Sequence, residues 1–176
     1  MDYRNKYLAI IPARGNSKRL PRKNILPFAG KPLVQWSIEA ALQCDFISKT
    51  VVSSDCPEIL SISRLPGVDL HERPKTLALD ESSSVDVVLD VLKNYEKFSY
   101  IVLLQPTSPL RCSADISDVI KCFERSWPLN SLNSVCETDH NPILTNTLRK
   151  NNKMKNSSSK ILRDERPCNS KKTISC

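Results

Sequence analysis

The strongest constraint on how this chain folds is an alternation. Short apolar runs at residues 7–11, 50–53, 68–71 and 100–104 read as strands, and the stretches between them carry apolar residues at helical spacing. Residues 32–43 set Leu33, Ile38, Ala41 and Leu42 on one stripe with Trp36 between them. Residues 82–95 do the same with Val85, Val88, Leu89 and Leu92, and residues 113–126 with Ile116, Val119, Ile120 and Phe123. Residues 57–64 read as a further helix and 131–136 as a further strand. Runs that are apolar throughout, rather than at alternate positions, belong to strands covered on both faces. The alternation from residue 7 to about residue 137 therefore predicts an α/β chain with a parallel sheet and helices on both faces.

In such sheets ligands bind beyond the carboxyl ends of the strands, which directs attention to the segment after the first run. It reads IIPARGNSKRLPRKNILPFAGK over residues 10–31 and holds Arg14, Lys18, Arg19, Arg22 and Lys23 within ten residues. A charge run is usually a solvated loop. Two details favour a polyphosphate site instead. Gly15, one of three glycines in the chain, directly follows Arg14, which predicts a sharp turn or a close approach of backbone to ligand. Pro12 and Pro21 stiffen the loop and lower the entropy cost of ordering it.

Two more loops follow strands and should reach the same edge. One carries Arg73, Asp80, Ser82, Ser83 and Ser84; the other carries Gln105, Thr107, Ser108 and Arg111. Arginines and hydroxyls of this kind pair with phosphates and hydrogen-bond a base, a ribose or a sugar carboxylate. A plainer reading stands beside each. The serine run fits a helix cap, Asp80 fits a helix start, and Gln105 before Pro106 fits a strand ending. His71 and His140 stand isolated and are not expected to be catalytic.

Composition narrows the class. The length suits one domain with a real core. No apolar stretch reaches the roughly 18 residues that span a bilayer, and the charged start MDYRNKY is unlike a signal peptide, so a cytoplasmic protein with no membrane partner is expected. Cys44, Cys56, Cys112, Cys122, Cys136, Cys168 and Cys176 show no CxxC pair and are odd in number, arguing for reduced thiols rather than zinc or a disulfide framework.

The net charge of +7 resides in the end of the chain. Residues 1–140 balance 17 cations against 17 anions, whereas residues 141–176 hold nine cations against Asp164 and Glu165. A balanced core, residues 1–140, with a basic, poorly ordered tail, residues 141–176, suits a small-molecule site better than nucleic acid. Nucleic-acid binding through the tail is the weakest alternative. Neither G-x-G-x-x-G nor G-x-x-x-x-G-K-[ST] is present, which argues against a dehydrogenase or a P-loop kinase.

IPARGNSKRLPRKN, the ERP of Glu72 to Pro74, the SSS before a helix and LLQPTSPLR resemble the acylneuraminate cytidylyltransferases, or CMP-sialic acid synthetases. The resemblance runs from about residue 7 to residue 144. It extends to the enzymes that activate legionaminic and pseudaminic acids. It implies a Rossmann-like, mostly parallel sheet of the nucleotide-diphospho-sugar transferase kind. It also implies a reaction in which the anomeric hydroxyl of a nine-carbon acidic sugar attacks the α-phosphate of CTP and releases pyrophosphate with Mg²⁺. By position, Arg14, Lys18 and Lys23 would hold the triphosphate, Lys18 and Lys23 as catalytic cations. Asn24, Arg73, Ser82 and Ser84 would line the nucleotide, and Gln105 would face the sugar.

The resemblance has departures. Asn16 stands where many members carry a second glycine, a place where a small polar residue is tolerated at positive φ. The family continues into an Asn-Gly pair, metal-binding aspartates and a dimerisation element, and is typically homo-oligomeric. Here LRDERP at residues 162–167 is similar to the start of that segment, with Arg163 near a catalytic arginine's place, and CNSKKTISC follows. No metal ligand is assigned in this chain. A truncated or frameshifted product would end so, as would a subunit completed by another chain. The alternative to an active enzyme is a catalytically defective nucleotide-binding homologue.

Overall fold

A computed structural model describes residues 6–17, 20–79, 82–126 and 130–135. Contacts divide the chain into Met1–Leu132 and Asn133–Cys176; the sheet, helices and site all belong to the first unit.

The first strand, β1 (Tyr7–Pro12), is buried from Tyr7 through Ile11. Full burial of a Leu or Ile side chain stabilises by roughly 1.5–3 kcal/mol, so this run belongs at the centre of a sheet. A short antiparallel hairpin follows, β2 (Pro27–Phe28) and β3 (Lys31–Pro32). Its two-residue turn has positive φ at both Ala29 and Gly30, the signature of a type I′ turn. Then come α1 (Leu33–Leu42), β4 (Ile47–Ser54), α2 (Pro57–Ile62) and β5 (Val68–Glu72). A 3₁₀ turn (Lys75–Leu77), α3 (Ser84–Leu92), β6 (Tyr100–Leu103) and α4 (Ser113–Arg125) complete the order.

The sheet runs β5-β4-β1-β6 and every pairing in it is parallel. Side chains alternate across it. Tyr7, Ala9 and Ile11 pack on one face with Val34 and Ile38 of α1, Ile59 of α2, and Ile116 and Ile120 of α4. Leu8, Ile10 and Val51 pack on the other with Val91, Val88 and Leu92 of α3. Helices therefore cover both faces, as the continuous apolar runs predict. β1 leads to β4 and β5 on one side, whereas β6 lies on the other, so the strand order reverses at β1. That reversal opens a crevice at the carboxyl ends of β1 and β6.

The sequence expectation fails at residues 131–136. Residues 131–135 form no strand, and Cys136 lies outside the described residues. In SLNSVC the apolar Leu132 and Val135 stand three apart, so the period-2 alternation of a half-buried strand is broken. Among the described residues no helix is long and apolar enough to cross a membrane, and Cys44, Cys56, Cys112 and Cys122 are free thiols.

Candidate functional site

Three loops meet at the carboxyl edge of the sheet. After β1, the chain is pinned to the end of β4: the Ala13 N–H donates to the Ser53 carbonyl at 2.9 Å and the Gly15 N–H to Asp55 Oδ1 at 2.9 Å. Gly15 does not adopt positive φ, unlike Gly30 and Gly67. Its need is closeness: a Cβ there would stand 2.8 Å from the Cβ of Cys56. The left-handed residue of this loop is Arg22, at φ 57°, rather than Asn16.

Asn24 closes the loop. Its Nδ2 donates to the Arg14 carbonyl at 2.9 Å, and its own carbonyl accepts from the Val34 N–H at the start of α1 at 3.0 Å. The side chain is 2% exposed, and its Oδ1 is buried with no hydrogen-bond partner. A buried orphan acceptor costs about 1–3 kcal/mol; a ligand hydroxyl or amino group would relieve it.

The second loop begins at Arg73, 5% exposed. Its N–H donates to the Ser54 carbonyl at 2.8 Å. Its guanidinium donates from Nε to Ser53 Oγ at 3.2 Å and from a terminal nitrogen to the Ser53 carbonyl at 2.7 Å. Burial pulls its pKa below the usual arginine range, the Asp55 carboxylate opposes that, and Arg14 reinforces it; an arginine nonetheless stays charged.

Further along, Ser83 caps α3 in a capping box with Asp86: Ser83 Oγ accepts from the Asp86 N–H at 3.1 Å, and the Ser83 N–H donates to Asp86 Oδ2 at 3.1 Å. Ser82 Oγ donates to the Thr76 carbonyl at 3.1 Å. The cap reading of the serine run thus holds for Ser83. The third loop, after β6, is folded on itself by Arg111, which donates to the Gln105 carbonyl at 2.9 Å.

Between these loops lies a cavity of about 270 Å³ lined by Arg14, Lys23, Asn24, Arg73, Ser82, Ser84 and Gln105. The described residues to which the resemblance gives a role all meet there, whereas Ser108 and Arg111 of the third loop do not line it. Lys18, Arg19 and Asp80 lie outside the described residues, as do His140 and Arg163. Arg22 departs from the expected cationic cradle, pairing instead with Glu58 of α2.

Ser83 and Thr107, offered by the second and third loops, also line it, whereas sequence reasoning did not assign Pro12, Leu77, Leu79, Val87 and Pro106 to the wall. Leu77 and Leu79 give it an apolar side, and their only signal was the two leucines of KTLAL. The amino end of α3 also faces the cavity through Ser82 to Ser84, where the helix dipole favours an anion. Among the described lining residues, three guanidinium or ammonium groups, a helix amino terminus and no carboxylate suit a polyphosphate.

A larger cavity of about 560 Å³ opens at the opposite edge among Tyr7, Tyr100 and Phe123. It has aromatic walls and lies at the amino ends of the strands, away from these loops.

Comparison with known proteins agrees with the geometry. Residues 8–170 match the family model described as cytidylyltransferase. The chain belongs to the cytidylyltransferase family. This cytidylyltransferase chain is 40% identical over 121 residues to an N-acylneuraminate cytidylyltransferase of Escherichia coli O18:K1:H7, covering 69% of this chain and 29% of that protein. It is 41% identical over 111 residues to a CMP-N,N′-diacetyllegionaminic acid synthase of Legionella pneumophila, covering 60% and 48%.

Among solved structures, that of a CMP:2-keto-3-deoxy-manno-octonic acid synthetase complexed with CTP superposes with a TM-score of 0.58 at 26% identity, covering 70% of this chain and 49% of the other. The chain thus spans less than half the length of these relatives.

Proposed function

We propose that this chain binds CTP in the cavity at the carboxyl edge of the sheet and serves a cytidylyltransferase reaction. In that reaction a nine-carbon acidic sugar of the sialic, legionaminic or pseudaminic type is converted to its CMP derivative. The observation that carries the proposal is the convergence of Arg14, Lys23, Asn24, Arg73, Ser82, Ser84 and Gln105, drawn from three separate loops, on one cavity. A reaction that consumes CTP belongs in the cytoplasm.

In this reading the anomeric hydroxyl oxygen of the sugar forms a bond to the α-phosphorus and gives up its proton to solvent, the α–β anhydride bond breaks, and pyrophosphate leaves with the electron pair. Such transfer depends on positioning and fixed positive charge more than on covalent chemistry. Arg14, Lys18 and Lys23 hold the triphosphate, and the amino end of α3 adds its dipole. Asn24 offers its orphan Oδ1 to a base amino group or a ribose hydroxyl. Arg73, Ser82 and Ser84 border the nucleotide, Gln105 faces the sugar, and Arg163 is assigned by motif position alone.

Mg²⁺ fits the described residues as a companion of the triphosphate. Among the described residues no cluster of three His, Cys, Asp or Glu could hold an ion, and the described residues of the cavity wall include no carboxylate. No step is therefore routed through a protein-held metal. Incubation with CTP, Mg²⁺ and each sugar in turn, with pyrophosphate followed, tests the activity; absence of turnover with all three refutes it. The lack of a carboxylate among the described lining residues favours a second reading, nucleotide binding without catalysis. Calorimetry with Mg²⁺-CTP distinguishes the two, since binding without turnover selects the second and undetectable binding removes both.

A further inference from the structure

Behind the cavity wall lies a line of polar groups with no part in the roles above. Ser53 and His71 are register partners on β4 and β5, and Ser53 Oγ lies 3.1 Å from His71 Nδ1. His71 Nε2 lies 3.4 Å from Asp90 Oδ2 of α3, and both side chains are almost enclosed, at 12% and 13% exposed. Ser53, fully buried, receives the Arg73 Nε–H on the same hydroxyl oxygen. The sequence gives no hint of this, because the partners come from β4, β5 and α3; His71 is not the isolated residue that its surroundings in sequence suggest.

One direction gives every group in the line a partner. Arg73 Nε can only donate, so Ser53 Oγ accepts there and must place its single proton elsewhere. Nδ1 of His71 stands within reach and takes it. The ring is then neutral, with its proton on Nε2 directed at Asp90. The order is Arg73 to Ser53 to His71 to Asp90, each group donating to the next.

We propose that His71 is a positioning residue for Arg73, holding its guanidinium against the cavity wall through the Ser53 hydroxyl and tying that wall to α3 through Asp90. A proton added at Nδ1 turns the acceptor into a donor. Ser53 would then receive two hydrogen bonds and its own O–H, wholly buried, would lose its acceptor, which loosens the hold on Arg73.

The charged groups around the ring are Asp90 of α3, Lys93 just past its end, and Arg73 beyond the end of the ring's own strand, while β4 presents the Ser53 hydroxyl. Burial lowers the His71 pKa from the usual histidine value; Asp90 pulls it up, and Arg73 and Lys93 push it down. Since the folded state prefers the neutral ring, the line is intact at neutral pH and weakens as pH falls below the ordinary histidine range.

Two measurements decide this. In nucleotide-free protein, ¹⁵N NMR should find His71 as the Nε2–H tautomer, and the Arg73 Nε–H resonance should move with the His71 titration. A Nδ1–H tautomer, or an Arg73 signal indifferent to that titration, overturns the proposal. The consequence for the ligand rests on the proposed nucleotide site and is read separately by calorimetry with CTP. H71N, which can set an amide oxygen near the place of Nδ1, should keep affinity within about twofold and lose its acid dependence. H71L should weaken binding by about tenfold at neutral pH.

Equal affinities for H71N and H71L in folded protein would overturn the coupling. If wild-type protein fails to bind CTP, the nucleotide reading falls while the resonance measurement still decides whether His71 positions Arg73.

Discussion

Replacing Gly15 by alanine tests whether the loop after β1 is placed by contact with α2. The new Cβ would meet the Cβ of Cys56 at 2.8 Å, against about 3.5–4.0 Å for an unstrained carbon pair, so one side must move by close to 1 Å. The α2 side is anchored: the Cys56 N–H donates to Ser54 Oγ at 3.1 Å and the Cys56 carbonyl accepts from Leu60 at 3.1 Å. The loop moves instead, and the Gly15 N–H to Asp55 bond, 2.9 Å long, stretches beyond hydrogen-bonding range.

Either the bond to a carboxylate is lost, at about 1.5–3 kcal/mol, or the clash is retained as overpacking, at about 1–3 kcal/mol. These are alternatives rather than a sum, so G15A should cost about 2 kcal/mol. For a chain of this size that is a fall in Tm of about 4–8 °C. Arg14 and Asn24 are bonded through the same loop, so CTP affinity should fall by about tenfold, or about 1.4 kcal/mol.

The decisive control is C56G, which removes the opposing Cβ at a position before α2 where glycine is tolerated. In that background G15A should be nearly neutral, giving a coupling of about 1.5–2 kcal/mol between the two sites. An unchanged Tm and affinity in G15A, or an equal cost of G15A with and without Cys56, refutes the reasoning.

Three further perturbations follow from the same geometry. A29N should raise stability by about 0.5–1 kcal/mol in urea unfolding, because Ala29 sits at φ 46° in a turn that favours Asn before Gly; a loss of stability would show that the turn is set by other contacts. S83A removes the hydroxyl half of the α3 cap and leaves the backbone N–H bond to Asp86; it should cost about 1 kcal/mol, with weaker CTP binding than an equally destabilising change far from the cavity.

Glu124 is held below its usual carboxyl range by the hydrogen bond from Lys6, with Tyr7 assisting against a desolvation that opposes it. Its stabilisation is present above the unfolded pKa and is lost as pH falls through the lower folded one. E124Q should therefore flatten the acid limb of a stability-against-pH curve, and an unaltered limb would count against that role.

What the sequence discloses depends on whether a residue acts through its own type or through its neighbours. β1 is legible because Tyr7 through Ile11 are apolar without interruption, and Arg14, Asn24, Arg73 and Gln105 because cations and amides after strands point outward to ligands. β4 begins at Ile47, earlier than the sequence reading, because Ser48 and Lys49 hide its first turn of pleat. The β2–β3 hairpin was missed since two-residue strands bounded by prolines have no period to detect. The Ser53–His71–Asp90 line could not be read at all: it exists only through register between strands and the packing of α3, neither of which a linear string records.

The place of β1 in the sheet has a consequence for how the protein is made. β1 is translated before both of its neighbours, residues 47–54 and 100–103, and loops following β1, β5 and β6 complete the cavity. Pairings between such distant segments form slowly, because the intervening chain must be closed into loops before any contact rewards it. On the ribosome the strand destined for the centre waits exposed until about a hundred residues have emerged. The cavity therefore comes into being with the last strand pairing, and a nucleotide captured there would stabilise the sheet as a whole rather than one loop of it.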